Sequence, residues 1–290
     1  MNAEDIGKKA AYLSIVEIGF GSFLHAFSIP FAGHLLALNQ GFILTRAAME
    51  TSDRRAPGII SVVAALLKSL SPVGKKLTPM LAIGMQGQLY NLGLLLLGNN
   101  GFGRILGMSL LCLWGFIQPL ALYFILYGKS LVDMAEYYMA ELSKVFAATR
   151  EDFISVLVAL VIFKLICGAV VVILAQILKQ KKVEEYENWL LKKHRPMEVH
   201  PSGSPWVLAL KDLLSPAFLI TWVLMLLFYL YARHEDAGLV WVLLRPVAAG
   251  YLIFLGLRIF PIERLVPWVS KRFPFLGRAL DSALQSIRKL

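Results

Sequence analysis

Apolar runs of about twenty residues, separated by short polar breaks, recur along most of this chain. A helix of roughly 17–25 apolar residues covers a hydrocarbon core. The runs predict spans at about 11–29, 31–46, 58–71, 79–97, 105–127, 153–178, 215–232 and 238–258. The runs are continuous and lack two-residue alternation, which favours helices over a β-barrel. Residues 129–152 read differently. Leu131, Met134, Tyr138, Leu142 and Val145 share one helical face, and charges of both signs occupy the rest. This is an amphipathic helix, expected at an interface. The longest polar stretch, KQKKVEEYENWLLKKHRPMEVHPSGSP, begins as a charged helix and ends in Pro/Gly/Ser coil. It sets the main boundary: a six-span bundle over 1–180, a charged cytoplasmic linker over 181–206, and a two-span extension over 207–290. The tail of that extension, WVSKRFPFLGRALDSALQSIRKL, reads as a basic amphipathic helix on a membrane surface.

Composition agrees. Of 290 residues, 58% are hydrophobic and 17% charged, and the mean hydropathy is +0.66. The fold class expected is an all-α polytopic membrane protein. The start, MNAEDIGKKAAYLSIVEIGFG, carries acids as well as lysines and no small-x-small cleavage site, so the first span is expected to stay. The net charge of +10 is assigned to cytoplasmic loops and headgroup contacts, and no nucleic-acid partner is expected. With the N-terminus inside, Lys8, Lys9, Arg46, Arg54, Arg55, Arg104, Lys179, Lys181, Lys182 and the basic tail are cytoplasmic. Lys75, Lys76, Lys129, Lys144, Arg150 and Arg233 are outside. The expectation is a multi-pass protein of the inner or plasma membrane with both termini cytoplasmic. Cys112 and Cys167 lie in apolar runs without metal-ligand spacing and read as packed thiols.

Polar side chains inside the apolar runs carry the candidate chemistry. GSFLHAFSIPFAGHLLALNQGFIL holds His25, His34, Asn39 and Gln40 around a break at Pro30. Proline cannot donate to a helix and disfavours helix at the residue before it. Broken backbone at membrane depth persists only when buried in protein or lining a wet cavity. The functional reading is an outer-side ligand pocket; the plain one is ordinary hydrogen bonding between helices. MLAIGMQGQLYNLG brings Gln86, Gln88 and Asn91 into two turns, with Gly84 and Gly87 permitting close helix approach. Amides donate and accept, which suits a small polar heterocycle, and they also glue helices. Trp114, Gln118 and Pro119 add an aromatic wall and another amide. Glu17 and Lys164 are intramembrane charges; Glu17 holds a proton, pairs with Lys164 or snorkels to water, and Lys164 needs a carboxylate or an anionic ligand group. The chain carries no HExxH, P-loop, Gly-x-Ser-x-Gly or aspartate-rich diphosphate motif. No catalytic residues, metal ligands or cofactor are therefore expected.

One family shares this pattern. Six spans fill residues 1–180, the second and third are short, the IPFAGHL break precedes the second helix, and PMLAIGMQG forms the fourth. The chain resembles the substrate-capture (S) components of energy-coupling-factor (ECF) vitamin transporters. That resemblance implies six helices around a small vitamin-like ligand near the outer face, docked on a scaffold subunit driven by two ATPases. The family's first helix carries alanines four apart, and this chain departs from that: Ser22 and Ala26 have the spacing but match it poorly, and Ala10 and Ala11 lie early. The two C-terminal spans are not typical of it.

The expected function is thus capture of a small vitamin-like or precursor molecule for uptake, without chemistry on it. Its partners would be the ligand, membrane lipid, and scaffold and ATPase subunits. One alternative is an integral-membrane enzyme or lipid-handling protein that uses His25 and His34. A second is a structural or assembly subunit in which the polar residues only join helices.

Overall fold

The computed structural model describes residues 2–18, 21, 32–51, 53–68, 77–146, 149–179, 181–183, 185, 204–214, 216–232, 239–259, 267, 268 and 270–288. Among them there is no strand. The main helices are α1 (Ala3–Ile18), α2 (Ala32–Glu50), α3 (Ala56–Lys68), α4 (Leu77–Leu97), α5 (Gly101–Tyr127), α6 (Ser130–Phe146), α7 (Arg150–Ile177), α8 (Pro205–Leu213), α9 (Pro216–Ala232), α10 (Leu239–Ile259) and α11 (Pro274–Arg288). His25, Pro30 and most of the 181–206 linker lie outside the described residues.

Local sequence sets the helix ends. Asn2 and Asp5 form a reciprocal cap on α1: the Asp5 N–H donates to Asn2 Oδ1 at 2.8 Å, and the Asn2 N–H to Asp5 Oδ2 at 3.4 Å. Thr149 and Asp152 do the same for α7, at 3.2 and 2.7 Å. Gly98 closes α4 with φ of 85°, a left-handed conformation that glycine adopts without a Cβ penalty. Asn100 then opens α5 by accepting from the Gly103 N–H at 2.9 Å. The GNNG stretch therefore turns one long apolar helix directly into the next.

Among the described residues, three helices are long and apolar enough to cross a membrane: Thr78–Leu97, Gly101–Tyr127 and Glu151–Ile177. The last is the clearest. Only 11% of its apolar window is buried within the protein, and Ile154, Val156, Leu157, Ile162, Phe163 and Ile166 stand exposed. A helix apolar all round and uncovered by protein is matched to lipid. Ala56–Lys68 and Phe218–Tyr231 are shorter apolar helical stretches.

The chain divides into two compact units that interleave along the sequence. The first comprises 1–116, 162–201 and 261–290; the second comprises 117–161 and 202–260.

In the first unit, small residues let the helices approach closely. Ala10, Ala11, Ala47, Ala56 and Ala64 are fully buried in its core. Gly93 meets Gly107 backbone to backbone; a Cβ on Gly93 would stand 2.2 Å from the Gly107 nitrogen. The tail helix α11 joins this core. Ala279, Leu280 and Ala283 are buried there, and the Ser282 hydroxyl donates to the Glu4 carbonyl at 3.3 Å. The expected membrane-surface helix thus places its apolar face on α1. Gly7 makes room for it, since a Cβ at Gly7 would lie 2.6 Å from the Ala279 carbonyl oxygen.

In the second unit, the amphipathic α6 also finds a protein partner. Its Met134 packs with Tyr127 and with Met225, Phe228 and Tyr229. The Tyr138 hydroxyl donates to the Leu224 carbonyl at 2.9 Å. Helix α9 covers the face that the sequence assigned to an interface, though Leu142 remains 42% exposed.

Candidate functional site

The polar residues of the first unit sort into those engaged between helices and those left without partners. At one end, Lys9 pairs with Glu50 at 3.0 Å. Arg46 Nη1 donates to the carbonyls of Ala175 and Leu178 at 3.0 and 3.1 Å, closing the C-terminal end of α7. That end carries the partial negative charge of the helix dipole, so a guanidinium suits it. Asn99 Nδ2 does the equivalent for α2, donating to Ala48 and Thr51 carbonyls at 2.6 and 3.0 Å. Deeper in, the hydroxyls of Thr45 and Tyr90 meet at 2.9 Å.

Two predicted ligand amides lie within this framework. Gln40 is fully buried, and its Nε2 donates to Ser61 Oγ at 3.2 Å and the Ile83 carbonyl at 2.8 Å. It ties α2 to α3 and α4. Gln88 Nε2 donates to the Gly58 carbonyl at 3.1 Å, joining α4 to α3. Gly87 lies against Ser61 so closely that a Cβ would overlap the serine side chain.

Glu17 and Lys68 form a second feature. Both are buried, the Lys68 ammonium donates to the Glu17 main-chain carbonyl, and the two side chains interact electrostatically. The sequence offered Lys164 as the partner of Glu17; the cation beside it is Lys68. Lys68 ends α3, and a lysine closing an apolar helix reads as a snorkelling residue from sequence alone. Only the packing of α1 on α3 reveals its partner.

His34 and Lys164 are brought together instead. His34 on α2 is 8% exposed, and its Nε2 has no hydrogen-bond partner among the described residues. It lies within electrostatic reach of Lys164 on α7. The Lys164 ammonium stands 4.0 Å above the centre of the Phe116 ring and against Gly115, where an added Cβ would be 3.5 Å from Nζ. Among the described residues, no carboxylate lies within ion-pair distance of Lys164. Asn39 Nδ2 and Trp114 Nε1 are also buried without hydrogen-bond partners among the described residues.

Such groups are costly. A buried polar atom without a hydrogen bond loses about 1–3 kcal/mol, and a cation in an apolar bundle needs a counter-charge or a wet cavity. The chemistry offered around His34 and Lys164 is a cation, an aromatic face and an imidazole nitrogen, which is suited to an anionic group. Gln86 and Asn91 are buried on α4, and Asn91 Oδ1 also lacks a hydrogen-bond partner among the described residues. Gln118 is buried in the second unit, and His25 lies outside the described residues. Among the described residues, no group of three His, Cys, Asp or Glu side chains stands close enough to hold a metal ion. Comparison of the chain with protein-family models, curated proteins and solved structures gives no match.

Proposed function

We propose that this chain is a membrane-embedded capture protein for a small molecule bearing an anionic group, acting in uptake. One observation carries the reading: His34 Nε2 and the Lys164 ammonium lie within electrostatic reach of each other, and among the described residues His34 Nε2 has no hydrogen-bond partner and Lys164 has no carboxylate at ion-pair distance. In a chain selected for packing alone, an apolar residue at position 164 removes the desolvation cost at once. A ligand carboxylate or phosphate supplies the missing charge, and the ring of Phe116 steadies the ammonium.

The placement of polar groups supports binding without turnover. Catalysis needs a nucleophile beside a base, or a bound metal, at reacting distance. The groups around Lys164 instead offer charge and hydrogen bonds that orient a ligand. The resemblance to S components of ECF transporters adds the remaining parts of the proposal. The ligand is a vitamin-like or precursor molecule, scaffold and ATPase subunits supply the energy, and eight spans thread the inner membrane with both termini inside.

The test begins with the full chain purified in mild detergent. Small molecules released by solvent are identified by negative-mode mass spectrometry, then returned to the ligand-free protein. The expected result is a single acidic molecule that rebinds stoichiometrically and is recovered unchanged. Steady conversion by the purified chain would replace capture with catalysis. Topology is tested separately: an impermeant thiol reagent outside the cell should fail to reach a cysteine placed at Asn188.

A further inference from the structure

The second unit contains a groove of about 860 Å³ between α8 and α10, within the roughly 300–1,000 Å³ of typical ligand sites. Its walls are almost wholly apolar, and among the described residues Arg245 is the one charged residue lining it. On α10, Trp241, Arg245, Ala248 and Leu252 follow at i, i+4, i+7 and i+11, which places them along one stripe. Helix α8 contributes Trp206 near its start, and its far end is anchored where Leu213 meets Gly250.

The order of residues along this stripe is that of a phospholipid. Trp241 and Arg245 fall within about 10 Å of the start of α10. Tryptophan belongs at headgroup level in a membrane, and arginine forms paired hydrogen bonds with phosphate. Beyond them the stripe becomes purely apolar, which suits acyl chains. Trp206, Trp241, Leu244 and Leu252 are all more than half exposed, so the groove is open along its length. The Arg245 guanidinium rests against Gly128, at the C-terminal end of α5. The partial negative charge there positions the side chain without cancelling its full charge. No acidic side chain pairs with Arg245 among the described residues. A partner helix would fill the apolar length and leave that cation without a counter-ion.

We propose that the groove between α8 and α10 is a specific site for an anionic diacyl phospholipid, with its phosphate on Arg245 and its acyl chains along Ala248 and Leu252. This site belongs to the second unit and stands whether or not the first unit captures an anionic molecule.

The experiment uses the full chain reconstituted in vesicles of phosphatidylcholine containing a minor share of phosphatidylglycerol, followed by extraction and native mass spectrometry. One phosphatidylglycerol should be retained per chain, in preference to phosphatidylcholine, and an excess of free inorganic phosphate should not displace it. Arg245→Gln should lower retention about tenfold or more, while Arg245→Lys keeps part of it. A phosphatidylglycerol brominated in its acyl chains should quench more tryptophan fluorescence in the parent protein than in a Trp206→Phe/Trp241→Phe variant. Equal retention of the two lipids by the parent would overturn the site. So would retention unchanged in Arg245→Gln, displacement by free phosphate, or a dimer of the chain that excludes lipid from the groove. The headgroup comparison needs no variant, so a substitution that fails to fold leaves the test intact.

Discussion

Replacing Gln40 with leucine separates an amide that holds helices from one that holds a ligand. Gln40 is fully buried and donates twice, to Ser61 Oγ at 3.2 Å and the Ile83 carbonyl at 2.8 Å. Interhelical hydrogen bonds in membrane proteins average about 0.6 kcal/mol each and reach about 1.7. Two terms soften the loss. The Ile83 carbonyl keeps its helical N–H, and the Ser61 hydroxyl turns back to a carbonyl of its own helix. A third term acts in the same direction: Gln40 Oε1 has no partner among the described residues, and leucine removes that unsatisfied oxygen. The net cost works out at about 1 kcal/mol, roughly a fivefold shift in the unfolding equilibrium. Reversible unfolding in mixed micelles measures it for Gln40→Leu, Ser61→Ala and the double variant. The cycle should return a coupling between the two sites, with binding of the released small molecule unchanged. Zero coupling and unaltered stability, together with lost binding, would refute the assignment of Gln40 to the framework.

Other substitutions test the packing. Gly93→Ala drives a Cβ to 2.2 and 2.4 Å from backbone atoms of Gly107, which cannot rotate away, so a loss of about 1–3 kcal/mol or more is expected. Gly101→Ala meets nothing within 4 Å and should leave thermal stability, read by fluorescence-detected chromatography, at or above that of the parent. Gly7→Leu should displace α11 from α1, because the first added carbon already lies 2.6 Å from the Ala279 carbonyl oxygen. Limited trypsin digestion should then cut at Arg278 and Arg288 several times faster than in the parent; equal rates would contradict the docking of α11. Arg46→Gln removes the donors at the α7 C-terminus and should cost about 1–3 kcal/mol, measured by the same micellar unfolding.

The long apolar helices were legible because their signal is local. Residues 79–97, 105–127 and 153–178 are each apolar enough to define a helix alone; Asn100, Thr149 and Asp152 mark ends with their own side chains, and Gly98 marks one with its left-handed backbone. Amphipathic segments were legible as helices but not by what covers them. The faces of α6 and α11 carry the same stripe whether a membrane or a protein lies opposite, and the partners come from α9 and α1, far away in sequence. The polar residues show the same division. An amide in an apolar run announces itself, yet its partner does not: Gln40 finds Ser61 and Ile83, and Glu17 finds Lys68. Lys164 stood out as a deep cation in search of an anion, and its electrostatic reach to His34, 130 positions away, is set by the tertiary arrangement alone.

The most direct test of the central claim is the affinity of the copurifying acidic molecule for the parent chain and for Lys164→Gln, measured by calorimetry in mild detergent. Glutamine keeps a polar side chain of similar reach and removes the charge, so the fold is expected to hold, as shown by an unchanged elution profile. A charge-assisted hydrogen bond contributes about 1.5–3 kcal/mol, so binding should weaken by about tenfold to a hundredfold, with the same direction for His34→Ala. Affinity unchanged in Lys164→Gln, or a parent protein that carries no acidic small molecule at all, would contradict the account.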